Sequence, residues 1–233
     1  MSIDPGSPQD TSIGKEQVVK VWDLPTRLFH WLLVALLVVL YLTAEFGKMD
    51  VHMKAGYAVL TLVLFRLAWG FLGSRHSRFA AFLTGPKRAL AYLRSQFGGP
   101  PIVTVGHNPL GGWMVIAMLL MVLLQAGTGL FTTDDILTEG PLYSRVSGAT
   151  GALLSSIHRL GFNVLVTLVA LHVAAALFYR FVKKDDLITP MVTGRKILPS
   201  SLAEAGQRQA SSLLALALLV VAALVVWAIV AQG

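Results

Sequence analysis

The stretch that most constrains this chain runs from Ser155 to Lys184. It is a nearly continuous apolar run that closes on the basic pair Lys183 and Lys184 and carries two histidines, His158 and His172. About 20 such residues suffice to cross the hydrocarbon core of a bilayer as a helix. The histidines are 14 positions apart. That is close to four helical turns, so they lie within about 40° of each other on one face and ~21 Å apart along the axis. One span thus offers two imidazoles to the same side, one toward each membrane surface. Ionisable groups at membrane depth are costly and point to function.

The rest of the chain fits a membrane setting. Apolar residues make up 55% of the sequence and charged residues 13%, against about 25% charged in an ordinary soluble domain. The expected fold class is an all-α integral membrane protein: a four-helix transmembrane bundle over residues 20–185, a linker over 186–211, and a fifth transmembrane helix over 212–233. The predicted spans are Leu28–Phe46, His52–Phe71, Leu110–Phe131, the helix described above, and Leu213–Ala231. Residues 1–19 are polar and rich in Gly, Pro and Ser, so they read as a disordered tail. No secretory signal peptide is visible. The chain has no cysteine, which excludes disulfides, thiolate-bound iron–sulfur clusters and thioether-linked haem. A cofactor must therefore be held by other ligands.

The connections set the orientation. Lys48-Met49-Asp50 makes a very short turn between the first two spans. The connection from Arg75 to Pro109 holds Arg75, Arg78, Lys87, Arg88 and Arg94 and no acid. Its Pro86–Phe97 portion alternates basic and apolar residues, as an interfacial helix does, and Gly98-Gly99-Pro100-Pro101 ends it. Thr132 to Leu154 reads as a loop with Asp134, Asp135 and Glu139 against Arg145. Basic residues recur before the first span and after the fourth. By the positive-inside rule the N-terminus is cytoplasmic and, after five spans, the C-terminus is periplasmic.

Threading the histidines through this topology pairs them. His30 begins an outward-going helix and His172 ends an inward-going one, so both belong near the cytoplasmic face. His52 and His158 both begin inward-going helices and belong near the outer face. Two bis-histidine sites, one per leaflet, are what two non-covalent b-type haems require, each iron taking an axial imidazole from either side. Zinc prefers four ligands at one point, and these four divide between two levels. His76, among Arg75 and Arg78, reads as solvated. His107, in a Gly-His-Asn-Pro turn, is a weaker candidate for lining a site. Arg66 lies 14 residues after His52, on nearly the same face at the cytoplasmic level, where it either pairs with a haem propionate or snorkels to headgroups. Arg27, Lys54 and Arg159 face the same choice. Gly56, Gly127, Gly129 and Gly161 permit close approach of a helix or a porphyrin. Trp22, Trp31 and Trp69 are expected in the interfacial belt.

At these residues the sequence resembles the bacterial cytochrome b561 family, which includes the b-type cytochrome subunits of membrane-bound nickel–iron hydrogenases. The matching stretches are Phe29-His30-Trp31-Leu32, His52 to Gly56 with Arg66-Leu67, Ile157-His158-Arg159-Leu160-Gly161, and Ala170-Leu171-His172 to Ala176. They cover approximately residues 20 to 185. The resemblance implies a four-helix bundle with two haems b, the same four histidines as iron ligands, and electron exchange with quinone in the bilayer.

The expected function is transmembrane electron transfer in the bacterial inner membrane, between the quinone pool and a c-type cytochrome, dehydrogenase or hydrogenase at the outer face. Lipid surrounds the bundle, and no nucleic-acid partner is expected. For the quinone, the cytoplasmic end offers Arg66, Arg27 and His76, and the outer end offers Glu45, Asp50 and Asp134; the cytoplasmic end is favoured. The alternative is a self-contained quinone-coupled superoxide oxidase, for which Lys54, Arg145 and Arg159 would draw a small anion to the outer face.

Overall fold

The computed structural model describes residues 16–96, 98, 104–134, 138–203 and 209–233. Five helices are long and apolar enough to cross a membrane: α1 (Leu24–Glu45), α2 (Met49–Leu72), α5 (Pro109–Gly129), α6 (Gly148–Phe181) and α9 (Ser212–Val230). Short helices α3 (Phe79–Phe82), α4 (Pro86–Ser95), α7 (Ile188–Thr193) and α8 (Ser200–Ala203) lie in the connections. So do two strands, β1 (Glu16–Lys20) and β2 (Arg195–Pro199).

Local chemistry sets the helix starts. Asp23, Asn108 and Ser147 each cap a helix, accepting from the backbone N–H of Thr26, Gly111 and Thr150 respectively. Pro25 and Pro109 occupy the first turns of α1 and α5, where a missing N–H costs nothing. The Ser147 cap moves the start of α6 to Gly148, seven positions before the expected Ser155. At 34 residues α6 is about 51 Å long, well beyond a hydrocarbon core of ~30 Å. The loop expected over 132–154 is correspondingly shorter.

The helices pack as two hairpins, α1 with α2 and α5 with α6. Helix α2 joins them by also packing on α5. It is the most buried span, with Val63 and Trp69 at 0% exposure. Helix α9 lies against α2 through Ala215, Ala222 and Val226. Small residues let helix backbones approach in a membrane, where lipid tails remove the hydrophobic drive for helices to associate. The fifth helix is thus part of the packed body. Its end is held where Arg145 donates to the backbone oxygen of Gln232.

One end of the bundle carries the basic connections; it is called the basic end below. A small cap covers it. Strands β1 and β2 pair antiparallel, Val18 opposite Ile197. The backbone N–H groups of Val21 and Trp22 both donate to Gly194 O, at 2.9 and 3.2 Å. Gly194 has φ +81, and a Cβ there would stand 2.8 Å from Trp22 O, so only glycine serves. Lys196 pairs with Asp185 at 2.8 Å. This corrects two expectations. Residues 16–19 belong to a strand and not to a disordered tail, because Val19 and Val21 find a core with Leu198 and Trp22. The 186–211 segment is no plain linker, since its first half folds back onto that strand. The tail before residue 16, the Gly99-Pro100-Pro101 breaker and Asp135 lie outside the described residues.

Candidate haem sites

The two long hairpins bring the four span histidines together in two pairs. His30 on α1 faces His172 on α6 with ring centroids 6.3 Å apart. His52 on α2 faces His158 on α6 at 6.4 Å. These are the rings that helix direction and spacing group by depth. The first pair lies at the basic end and the second at the opposite end. An imidazole nitrogen sits about 2 Å from a bound metal and roughly 1.2 Å from its own ring centre, so two axial imidazoles on one iron separate their ring centres by roughly 6.4 Å. Both pairs fit a haem iron. Among the described residues no group of three or more His, Cys, Asp or Glu side chains converges on a metal-sized point.

The pairs differ in what holds them. At the far end, His52 Nδ1 donates to Leu40 O at 3.0 Å, and His158 Nδ1 donates to Gln125 O at 2.9 Å. A carbonyl oxygen only accepts, so each Nδ1 carries the proton and each Nε2 keeps the lone pair a metal needs. Gln125 also donates its side-chain amide to His158 O at 2.9 Å. At the basic end, His30 Nδ1 is buried with no hydrogen-bond partner.

The glycines divide likewise. A Cβ on Gly129 would meet the His158 ring at 3.1 Å, and one on Gly161 would meet Gln125 Oε1 at 2.6 Å, so these two serve the close approach of α5 and α6. A Cβ on Gly56 or Gly127 would meet nothing within 4 Å, so neither glycine serves a helix contact of this kind.

A polar cluster surrounds the basic end. Arg66 is 3% exposed, its guanidinium lies 5.3 Å from the Phe79 ring centre, and its Nη1 meets no partner. It does not snorkel to headgroups. Asp23, 2% exposed, accepts from Thr26 N at 2.7 Å, Trp69 Nε1 at 3.2 Å and Ser77 Oγ at 3.0 Å. Trp69 is therefore a core residue and not part of an interfacial belt, because its indole N–H finds this buried carboxylate. Trp22 is buried too, against His107. Trp31 stays exposed and donates to Met191 O. Sequence reasoning passed over Asp23; the N-cap motif Asp23-Leu24-Pro25-Thr26 was its visible signal.

His107 sits between Trp22 and Phe82, with ring centres 4.7 Å from each. Burial pushes its pKa down to about 3, and the nearby Arg66 charge adds to the effect, followed by His172 and His76. A cavity of about 260 Å³ lies here, bordered by His76, Phe82, Thr104 and His107. Arg27 donates to Val192 O in the cap. Toward the other end, Lys54, Glu45, Asp50 and Asp134 are exposed. Arg159 is exposed and donates to Ser156 Oγ. Arg145 is engaged with the chain's own Gln232.

Comparison with known proteins accords with this geometry. The chain shares 27% identity with the probable Ni/Fe-hydrogenase B-type cytochrome subunit of Azotobacter chroococcum mcd 1, over 83% of this chain and 94% of the relative. The probable Ni/Fe-hydrogenase 1 B-type cytochrome subunit of Escherichia coli (strain K12) is 25% identical, over 75% and 88% respectively. The corresponding subunit of Cupriavidus necator is 26% identical, over 75% and 85%. No solved structure matches significantly. Residues 21–194 match the model of the family described as prokaryotic cytochrome b561. The chain belongs to that family and is a membrane-spanning b-type cytochrome of electron transport.

Proposed function

We propose that this chain moves electrons across the bacterial inner membrane, between the quinone pool and a redox partner at the outer face. Two haems b are held, one by His30 with His172 and one by His52 with His158. The observation that carries the reading is the near-equal separation of the two ring pairs, 6.3 and 6.4 Å, each matched to one iron and set at a different level of the bundle. Bound haem b supplies a one-electron carrier, and the protein supplies ligation, position and dielectric.

The chain's own residues divide that work. The Nδ1 bonds of His52 and His158 hold both outer rings with Nε2 facing inward. Arg66, buried with Nη1 unpaired, is disposed to meet an anionic haem propionate. We read the basic end as the cytoplasmic face from its lysines and arginines and assign the quinone to it, beside His76 and His107, with the Arg66 charge near His107. A quinone site needs an apolar slot with a few polar groups, and the cavity bordered by Phe82, Val105, His76 and His107 has a lining of that kind. The names of the relatives support a nickel–iron hydrogenase as the outer partner.

The test is haem content and partnership together. Purified protein should yield two haems b per chain, extractable by acid acetone. Solubilised gently from its native membrane, it should copurify with a hydrogenase. A ratio of one haem, or a stable complex with a different oxidoreductase, refutes the corresponding half of the reading.

A further inference from the structure

The two helix hairpins carry the same device at their outer ends. On α1, Thr43 Oγ1 donates to Val39 O at 2.7 Å and approaches Leu40 O at 3.2 Å. On α5, Thr128 Oγ1 donates to Leu124 O at 2.7 Å and approaches Gln125 O at 3.2 Å. In each hairpin the carbonyl three residues before the threonine accepts from the histidine of the next helix, Leu40 O from His52 and Gln125 O from His158. The threonine oxygen then stands second to the same Nδ1, at 3.4 Å for Thr43 with His52 and 3.3 Å for Thr128 with His158. The arrangement repeats although the two threonines precede their histidines by 9 and 30 residues.

The roles of the atoms follow from the partners. Each hydroxyl proton is committed to the carbonyl four residues back, so the hydroxyl lone pairs face the imidazole. The Nδ1–H is then a shared donor to two acceptors, a carbonyl and a hydroxyl. Acceptors on the far nitrogen of a metal-bound imidazole fix its tautomer, orient its ring and raise its basicity. A more basic axial ligand favours ferric over ferrous iron. His30, by contrast, has no hydrogen-bond partner on its Nδ1.

We infer that Thr43 and Thr128 are matched positioning residues for the outer haem, each holding one axial histidine in the Nδ1–H form and lowering that haem's potential through it. This rests on the proposed ligation by His52 and His158. The experiment is a spectroscopic redox titration of the purified full chain. His52→Ala and His158→Ala first identify the outer component as the one they remove. Thr43→Val and Thr128→Val, which keep shape and drop the hydroxyl, should each shift that component upward and leave the other in place. Thr43→Ser and Thr128→Ser should titrate as the parent does. If the histidine variants remove no common component, the ligation and the inference both fall. If they do, but the valine variants shift neither component, shift both alike or match the serine variants, the inference alone is overturned.

Discussion

The two histidine pairs have the same spacing and opposite surroundings. His52 and His158 are tied into the bundle, each ring bonded to a carbonyl of the neighbouring helix. The pair at the basic end includes His30, whose Nδ1 is buried without a partner. Around it stand a buried arginine, a buried aspartate and a cap drawn from residues far away in the chain. The pair away from the basic end is held by contacts between neighbouring helices. The other pair lies at the end of the bundle that the small cap of β1 and β2 covers. On this basis damage to the cap is expected to weaken the His30 and His172 pair before the His52 and His158 pair.

The comparison breaks most sharply at the histidines. Replacing any one by Ala should cost one haem of the two, with His30→Ala and His172→Ala sharing one spectral defect and His52→Ala and His158→Ala the other. Common loss from His30→Ala and His52→Ala would dissolve the distinction between the sites.

Asp23→Ala comes next in size. It strands the Trp69 and Ser77 donors and removes a helix cap, a cost on the order of 3 kcal/mol. The expected result is a lower unfolding temperature in detergent, with haem lost from the inner site before the outer one. Equal loss from both would mean that the cap serves the whole bundle.

Arg66→Leu should slow haem reduction by added quinol severalfold while leaving the outer component's potential in place. If only substitutions at Glu45, Asp50 or Asp134 slow it, the quinone enters from the other side.

The smallest effect is a pH dependence. His107 has a folded pKa of about 3 against about 6.5 when unfolded. The unfolded chain therefore binds the proton first. The stability from keeping this ring neutral is complete above pH 6.5 and is lost as pH falls toward 3, by at most about 1.4 kcal/mol per pH unit. Unfolding followed from pH 7 down to 5 should show this acid limb, and His107→Phe, which keeps an aromatic ring between Trp22 and Phe82, should flatten it. An unchanged slope would place the acid sensitivity elsewhere.

Hydropathy, helical period and the spacing of basic residues act locally along the chain. For that reason five apolar helices, a short helix at α4 and the grouping of His30 with His172 and of His52 with His158 could be read from the sequence alone. What it left undetermined depends on contacts between distant residues. Trp69 and Ser77 reach Asp23 across 46 and 54 positions, and no periodicity announces a carboxylate waiting for an indole. Strand β1 is five residues beside a polar tail, and it becomes a strand only because β2, almost 180 positions later, pairs with it. Thr43 and Thr128 look like ordinary helix residues until the tertiary structure sets a histidine of the next helix against each. Which nitrogen a histidine protonates is decided by the atom across from it, and only the packed bundle supplies that atom.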